Sequence, residues 1–181
     1  LYNAQSFSGQ TYLWLGEAYY AKENMIDARE NIVKFIGTKQ GKTAEQLQKA
    51  YYILGYIYFK AKDYNNAAIY FNTFTTIDNA DKTPVYDDVL NRLGDSYFNK
   101  REFVKARKTY NSVSPKSRVA DYAQYQSAFI LGLQKQYDAK IEQLNTLINK
   151  YPHSDYNDDA MYEIGRTYVL QDKYNEAIEA Y

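Results

Sequence analysis

The residues best suited to chemistry in this 181-residue chain are a single histidine, a few grouped carboxylates and 22 tyrosines. His153 would need an oriented base or nucleophile partner to act in acid–base or covalent catalysis, and Pro152 and Ser154 beside it provide no such arrangement. It reads as an exposed turn residue. Asp155, Asp158 and Asp159 carry the oxygen atoms of a calcium site, but the alternating ligands, glycine pivot and closing glutamate are missing. They, and Asp87 and Asp88 just after Thr83-Pro84, suit the positive end of a helix dipole instead. With no cysteine, a disulfide framework and a thiolate metal site are both excluded. The glycines are spread along the chain rather than clustered into a phosphate-cradling loop. The expectation is a protein that is not an enzyme and carries no metal and no cofactor.

The remaining candidates are surfaces, and charge is the first guide to them. Twenty-two basic residues balance 22 acidic ones, so net charge points to neither nucleic acid nor a membrane surface as partner. Locally the balance fails. Lys100, Arg101, Lys105, Arg107, Lys108, Lys116 and Arg118 face only Glu102, whereas Asp155, Asp158, Asp159, Glu163, Asp172, Glu176 and Glu179 face only Arg166 and Lys173. Both read as solvated outer faces; the alternative reading is a basic patch for an acidic partner, or complementary ends of neighbouring units. No apolar run reaches the roughly 18–20 residues that cross a bilayer, so direct membrane insertion is not expected. The chain starts at Leu1 and stops at Tyr181 inside a helical pattern, and so reads as a fragment of a longer protein.

Those surfaces must be positioned by something regular, and the chain is periodic. Leu15-Gly16, Tyr19 and Ala28 recur as Leu54-Gly55, Tyr58 and Ala67, as Leu93-Gly94, Tyr97 and Ala106, and as Ile164-Gly165, Tyr168 and Ala177. A degenerate copy lies between the last two, set in register by Pro115 to Ala123 and Pro152 to Ala160. It has Ala128 in the glycine column, Leu131 in the tyrosine column and Lys140 in the alanine column. The steps are then 39, 39, 34 and 37 residues. Large residues stand four after each alanine column: Ile32, Phe71, Tyr110, Leu144 and Tyr181. Spacings of three and four place these columns on helix faces, and the aromatic columns read as core. A glycine inside a helix costs about 1 kcal/mol against alanine, so its recurrence once per repeat requires close approach of a paired helix. Thr43 with Gln46 reads as a capping box, and Thr83-Pro84 as a helix start with Pro in the first position. The helices expected are 10–22, 25–37, 43–61, 64–77, 84–100, 103–112, 118–134, 137–150, 156–171 and 174–181. Residues 1–8 read as the tail of a preceding repeat.

This pattern of Leu–Gly, Tyr, Ala, aromatic and closing Pro resembles the tetratricopeptide repeat over nearly the whole chain. The resemblance implies an all-α fold: a right-handed superhelical array of antiparallel helix hairpins, an α-solenoid of about five repeats forming one domain over 1–181. Its units are 9–42, 43–82, 83–116, 117–153 and 154–181. Lys140 departs from the small residue of its column and leaves the packing of the fourth unit open. Tyr151-Pro152-His153-Ser154 followed by Ala160, Tyr162, Gly165 and Tyr168 is similar, more narrowly, to bacterial cell-envelope repeat proteins. These include the barrel-assembly lipoprotein of the outer membrane and the Tol-Pal-associated coordinator. That similarity implies a periplasmic or envelope location, and the richness in Tyr, Asn and Lys fits an AT-rich bacterial genome.

In tetratricopeptide arrays the concave groove is lined by the row adjoining the core stripe of each first helix. Here that row holds Tyr52, Tyr56 and Phe59, then Asn91, Asp95 and Phe98, then Tyr125 and Phe129, then Tyr162, Arg166 and Val169. Tyrosine and arginine dominate binding hot spots. The function expected is a non-catalytic protein–protein interaction scaffold that binds a peptide or protein along this face, as a monomer. The alternatives are a docking or regulatory region of a larger enzyme or sensor, and a structural self-associating module.

Overall fold

The computed structural model describes residues 9–181, and the reading of residues 1–8 lies outside them. The helices are α1 (Gly9–Ala21), α2 (Met25–Gly37), α3 (Ala44–Lys60), α4 (Tyr64–Thr75), α5 (Tyr86–Asn99), α6 (Phe103–Tyr110), α7 (Ala120–Leu133), α8 (Tyr137–Lys150), α9 (Asn157–Leu170) and α10 (Tyr174–Ala180), with a 3-10 turn at Ala80–Lys82. There is no strand among the described residues. Every helix expected from periodicity is present, with its ends displaced by two residues at most. Two compact units are formed, Leu1–Lys100 and Arg101–Tyr181.

Local chemistry sets the helix ends. The Thr43 hydroxyl accepts from the Gln46 amide while the Gln46 side chain accepts from the Thr43 amide, so the capping box is complete. The start expected at Pro84 is corrected. Both the amide and the hydroxyl of Thr83 donate to the Ala80 carbonyl, closing the 3-10 turn, and α5 begins only at Tyr86. Asp87 and Asp88, and Asp158 and Asp159, do lie in the first turns of α5 and α9.

The turns between paired helices share one device that the columns did not show. Glu23, Lys62, Arg101, Lys135 and Asp172 have φ between 58° and 60°, and each stands five residues before its alanine column. In the turns after α3 and α7, the Lys62 and Lys135 amides donate to Phe59 and Gly132. The next amides, Asp63 and Gln136, donate to Tyr58 and Leu131. This is the Schellman pattern, and the tyrosine column supplies its carbonyl acceptor. Lys135 takes its place on the same count from Lys140, which independently supports the register of the degenerate fourth copy.

The interior explains the glycine column. A Cβ on Gly16 would stand 2.4 Å from Ile32 Cδ1, and one on Gly55 2.4 Å from Phe71 Cε1. Each glycine thus receives the large residue four after the alanine column. One turn further along stand the large residues Tyr20 and Phe59, packed against the clusters that bury the small column residues Ala28 and Ala67. The fourth hairpin exchanges these sizes. Gly132 stands against Lys140, whose Cδ would be 2.9 Å from an added Cβ, so the lysine occupies space that an aromatic fills elsewhere. Unit 1 buries Leu13, Ile32, Phe35, Ile53 and Leu54 in one cluster, and Phe71, Phe74, Val89 and Leu93 in the next. Unit 2 buries Ile141, Leu144, Leu147 and Ile164. The tyrosines expected in the core are corrected to its margin: Tyr12, Tyr19, Tyr58 and Tyr168 are only partly buried. A ring can pack there while its hydroxyl keeps a polar partner.

Candidate functional site

In unit 1 the row on α3 packs onto rings from α4. Tyr56 meets the edge of Phe71 at 5.3 Å, Phe59 meets Tyr64 at 5.6 Å, and Tyr52 lies 4.8 Å from Tyr56. A pocket of about 250 Å³ opens beside Tyr52, walled by Gln48, Phe74 and Val85. Rings held from behind in this way have little rotamer freedom left to lose when a partner covers them.

Helix α5 supplies the polar half of the face. The Tyr56 hydroxyl donates to Asp88, and Arg92 donates to Asp95 at 2.6 Å, approaches Asp88 at 3.8 Å and lies over the Phe59 ring at 5.6 Å. Burial, and then Asp88, push the Tyr56 hydroxyl well above its ordinary value. Tyr20 on α1 is pushed up to about 12, by burial first and then by Tyr52 and Asp88. Burial pulls Arg92 down, but Asp95, Tyr56 and Asp88 outweigh it and hold the guanidinium above its ordinary value. The tyrosines are therefore neutral donors, and the arginine a fixed cation. The expected contacts Asn91 and Asp95 need correction: at 1% and 6% exposure both lie beneath the surface. Their column turns inward on α5, so Asp95 serves the face by holding Arg92. Phe98 is half-buried.

In unit 2, Tyr125 on α7 stacks on Tyr156 at 5.3 Å, and is pushed up to about 12 by burial, then by Asp159 and Glu163. Phe129 and Arg166 wall a pocket of about 140 Å³, and Tyr162 is exposed. The base of that pocket holds a group the sequence reading missed. Lys140 and Glu163, 5% and 7% exposed, form an ion pair at 2.5 Å, and Arg166 donates to the other oxygen of Glu163 at 3.3 Å. Glu163 directly precedes the Ile164 core position, so its burial had no signal beyond the unexplained Lys140. Tyr20, by contrast, occupies the same column as Phe59 and was legible there.

No group of three or more His, Asp or Glu among the described residues is placed to hold a metal ion. His153 is exposed in the turn before α9. No helix among the described residues is long and apolar enough to cross a membrane.

Comparison with known proteins gives the fold a wider setting. Family models described as tetratricopeptide repeat match residues 48–81 and 158–181, and 122–154, together just over half of the chain. A search of curated proteins gives no match. Among solved structures the chain is similar to YrrB, described as a TPR protein with an unusual peptide-binding site, at a TM-score of 0.75 and 17% identity over 96% of this chain and 82% of that one. It is also similar to MamA from Desulfovibrio magneticus RS-1 (TM-score 0.71, 14% identity, 95% and 90% covered) and to apo RapI (TM-score 0.76, 11% identity, 96% and 68% covered). The recurring columns, the hairpins they build and the matched family models together place this chain among the tetratricopeptide-repeat proteins.

Proposed function

We propose that the chain is a non-catalytic scaffold that holds an extended peptide or protein segment on the tyrosine-lined faces of its first helices. The observation that carries this reading is the set Tyr52, Tyr56 and Phe59, presented half-buried and braced from behind beside the fixed cation Arg92. Such a face offers apolar ring area beside a guanidinium that is held in place by carboxylates, a combination suited to peptide backbone and side chains. The peptide-binding site named for YrrB lends support by analogy of fold.

Selection of a random peptide library on the immobilised full chain tests this. Enriched peptides are expected to lose binding to a Tyr52→Ala, Tyr125→Ala, Tyr162→Ala variant; equal binding to that variant would overturn the reading. We propose further that the protein belongs to a bacterial envelope, on the strength of its Tyr-Pro-His-Ser turn, and separately that it works as a monomer. Fractionation of cells expressing the full-length gene, and sedimentation of the purified chain, test the two parts.

A further inference from the structure

The basic residues around α6 take no part in the faces described above. Arg101, Lys105, Arg107, Lys108, Lys116 and Arg118 have one acidic neighbour in sequence, Glu102, and Lys105 already engages it at 2.6 Å. Arg107 and Lys108, with Val104 and Asn111, form one wall of a cleft of about 570 Å³, and Gln134 and Gln136 of the α7–α8 turn form the other. The Nε–H of Arg107 is buried with no hydrogen-bond partner. A buried donor left without a partner is destabilising and calls for an explanation.

We propose that this cleft is a second binding site, for an acidic peptide segment. Turning the guanidinium of Arg107 into the cleft breaks no bond at Nε and presents Nε and an Nη together, the geometry that grips a carboxylate with two parallel bonds. Lys108, exposed beside it, supplies a second cation. Across the cleft, the side-chain amides of Gln134 and Gln136 both donate and accept, as a peptide backbone requires. The exposed Val104 offers apolar contact to the stem of a glutamate. A nucleic acid is a poorer fit, because no aromatic residue walls the cleft and base stacking has no platform.

Fluorescence anisotropy of a labelled, capped hexaglutamate peptide against the full chain tests this, across a salt series. Saturable binding is expected. An Arg107→Gln, Lys108→Gln variant is expected to weaken it by at least about tenfold and to flatten its salt dependence. A Gln134→Ala, Gln136→Ala variant, unchanged in charge, is expected to weaken it severalfold with the salt dependence kept. Tyr52→Ala is expected to leave it unchanged, which separates this site from the tyrosine-lined face. Three results would overturn the proposal. One is no binding by the unaltered chain. Another is loss in the first variant with none in the second, which would make the site a diffuse basic surface rather than the cleft. The third is tighter binding of a thymidine hexanucleotide than of hexaglutamate.

Discussion

Replacing Lys140 by methionine removes one charge from the interior and little else, because the unbranched stem can keep its place beside Gly132. Breaking a buried ion pair by deleting one partner typically costs 3–5 kcal/mol, since the other charge is left desolvated. Glu163 retains Arg166 at 3.3 Å, but that guanidinium is 58% exposed and its attraction is screened by solvent. The expected loss for Lys140→Met is therefore about 2–4 kcal/mol, at the lower side of the range. Repeat arrays are stabilised by local and nearest-neighbour terms, so the loss should fall on the contact of α8 with α9. Hydrogen exchange read peptide by peptide is the assay: protection over Asn157–Ala180 is expected to fall by about one and a half to three orders of magnitude, while that over α3 and α4 is unchanged. Adding Glu163→Leu should return most of the loss, because a matched apolar pair replaces a buried salt bridge at little cost. Protection of α9 unaltered by Lys140→Met, or a double variant as weak as the sum of the singles, would refute the reasoning.

Other consequences follow from the hairpin interiors and turns. Gly55→Ala forces a methyl to 2.4 Å from the buried Phe71 ring; overpacking should exceed the gain in helix propensity, for a net loss of about 1–2 kcal/mol by urea denaturation. Gly132→Ala meets Lys140, with Cδ 2.9 Å and Nζ 3.3 Å from the added methyl; the stem is unbranched but its ammonium is tied to Glu163, so a net loss of about 0.5–1 kcal/mol is expected, below that of Gly55→Ala. Lys135→Gly relieves a left-handed lysine in the α7–α8 turn and should add about 0.5–1 kcal/mol, visible as slower exchange of the α7 and α8 amides. Tyr20 and Tyr125 are both raised to about 12 in the folded chain, above the ordinary value of about 10. Their contribution is present in full below pH 10 and is lost as the pH rises toward 12. Alkaline titration followed by tyrosinate absorbance should show unfolding in that window, and Tyr125→Phe should move it upward.

Most of the fold was legible because its determinants are local. Gly16 and Gly55 announce a close approach, Ile32 and Phe71 announce what approaches, and a period near 39 residues joins them. The hairpin turns were placed by the columns, but their conformation was not legible, since Glu23, Lys62, Lys135 and Asp172 take a conformation that favours glycine without being glycine; backbone hydrogen bonds, not residue type, enforce it. The face was partly legible. Tyr52, Tyr56 and Phe59 follow from their offset to Gly55, whereas the burial of Asn91 and Asp95 depends on how α5 is rotated, which an offset count does not carry. The pairing of Lys140 with Glu163 spans two hairpins and 23 positions, and a reading that treats each repeat separately has no means of joining them.

That same pairing bears on how freely such a chain can be rearranged. The junction of α2 with α3 relies on Phe35, Ala50 and Ile53, side chains that any apolar neighbour can satisfy, so a different hairpin could stand there with little more than repacking. The hairpin of α7 and α8 is choosier about its successor: its ammonium finds a counter-charge on α9 and nowhere else among the described residues. Shuffling the order of the hairpins, or grafting this one into another array, would strand that ammonium unless the following hairpin brought a glutamate at the position of Glu163. At one junction, then, the order of otherwise similar modules is written into the chain by a charge that only one neighbour answers.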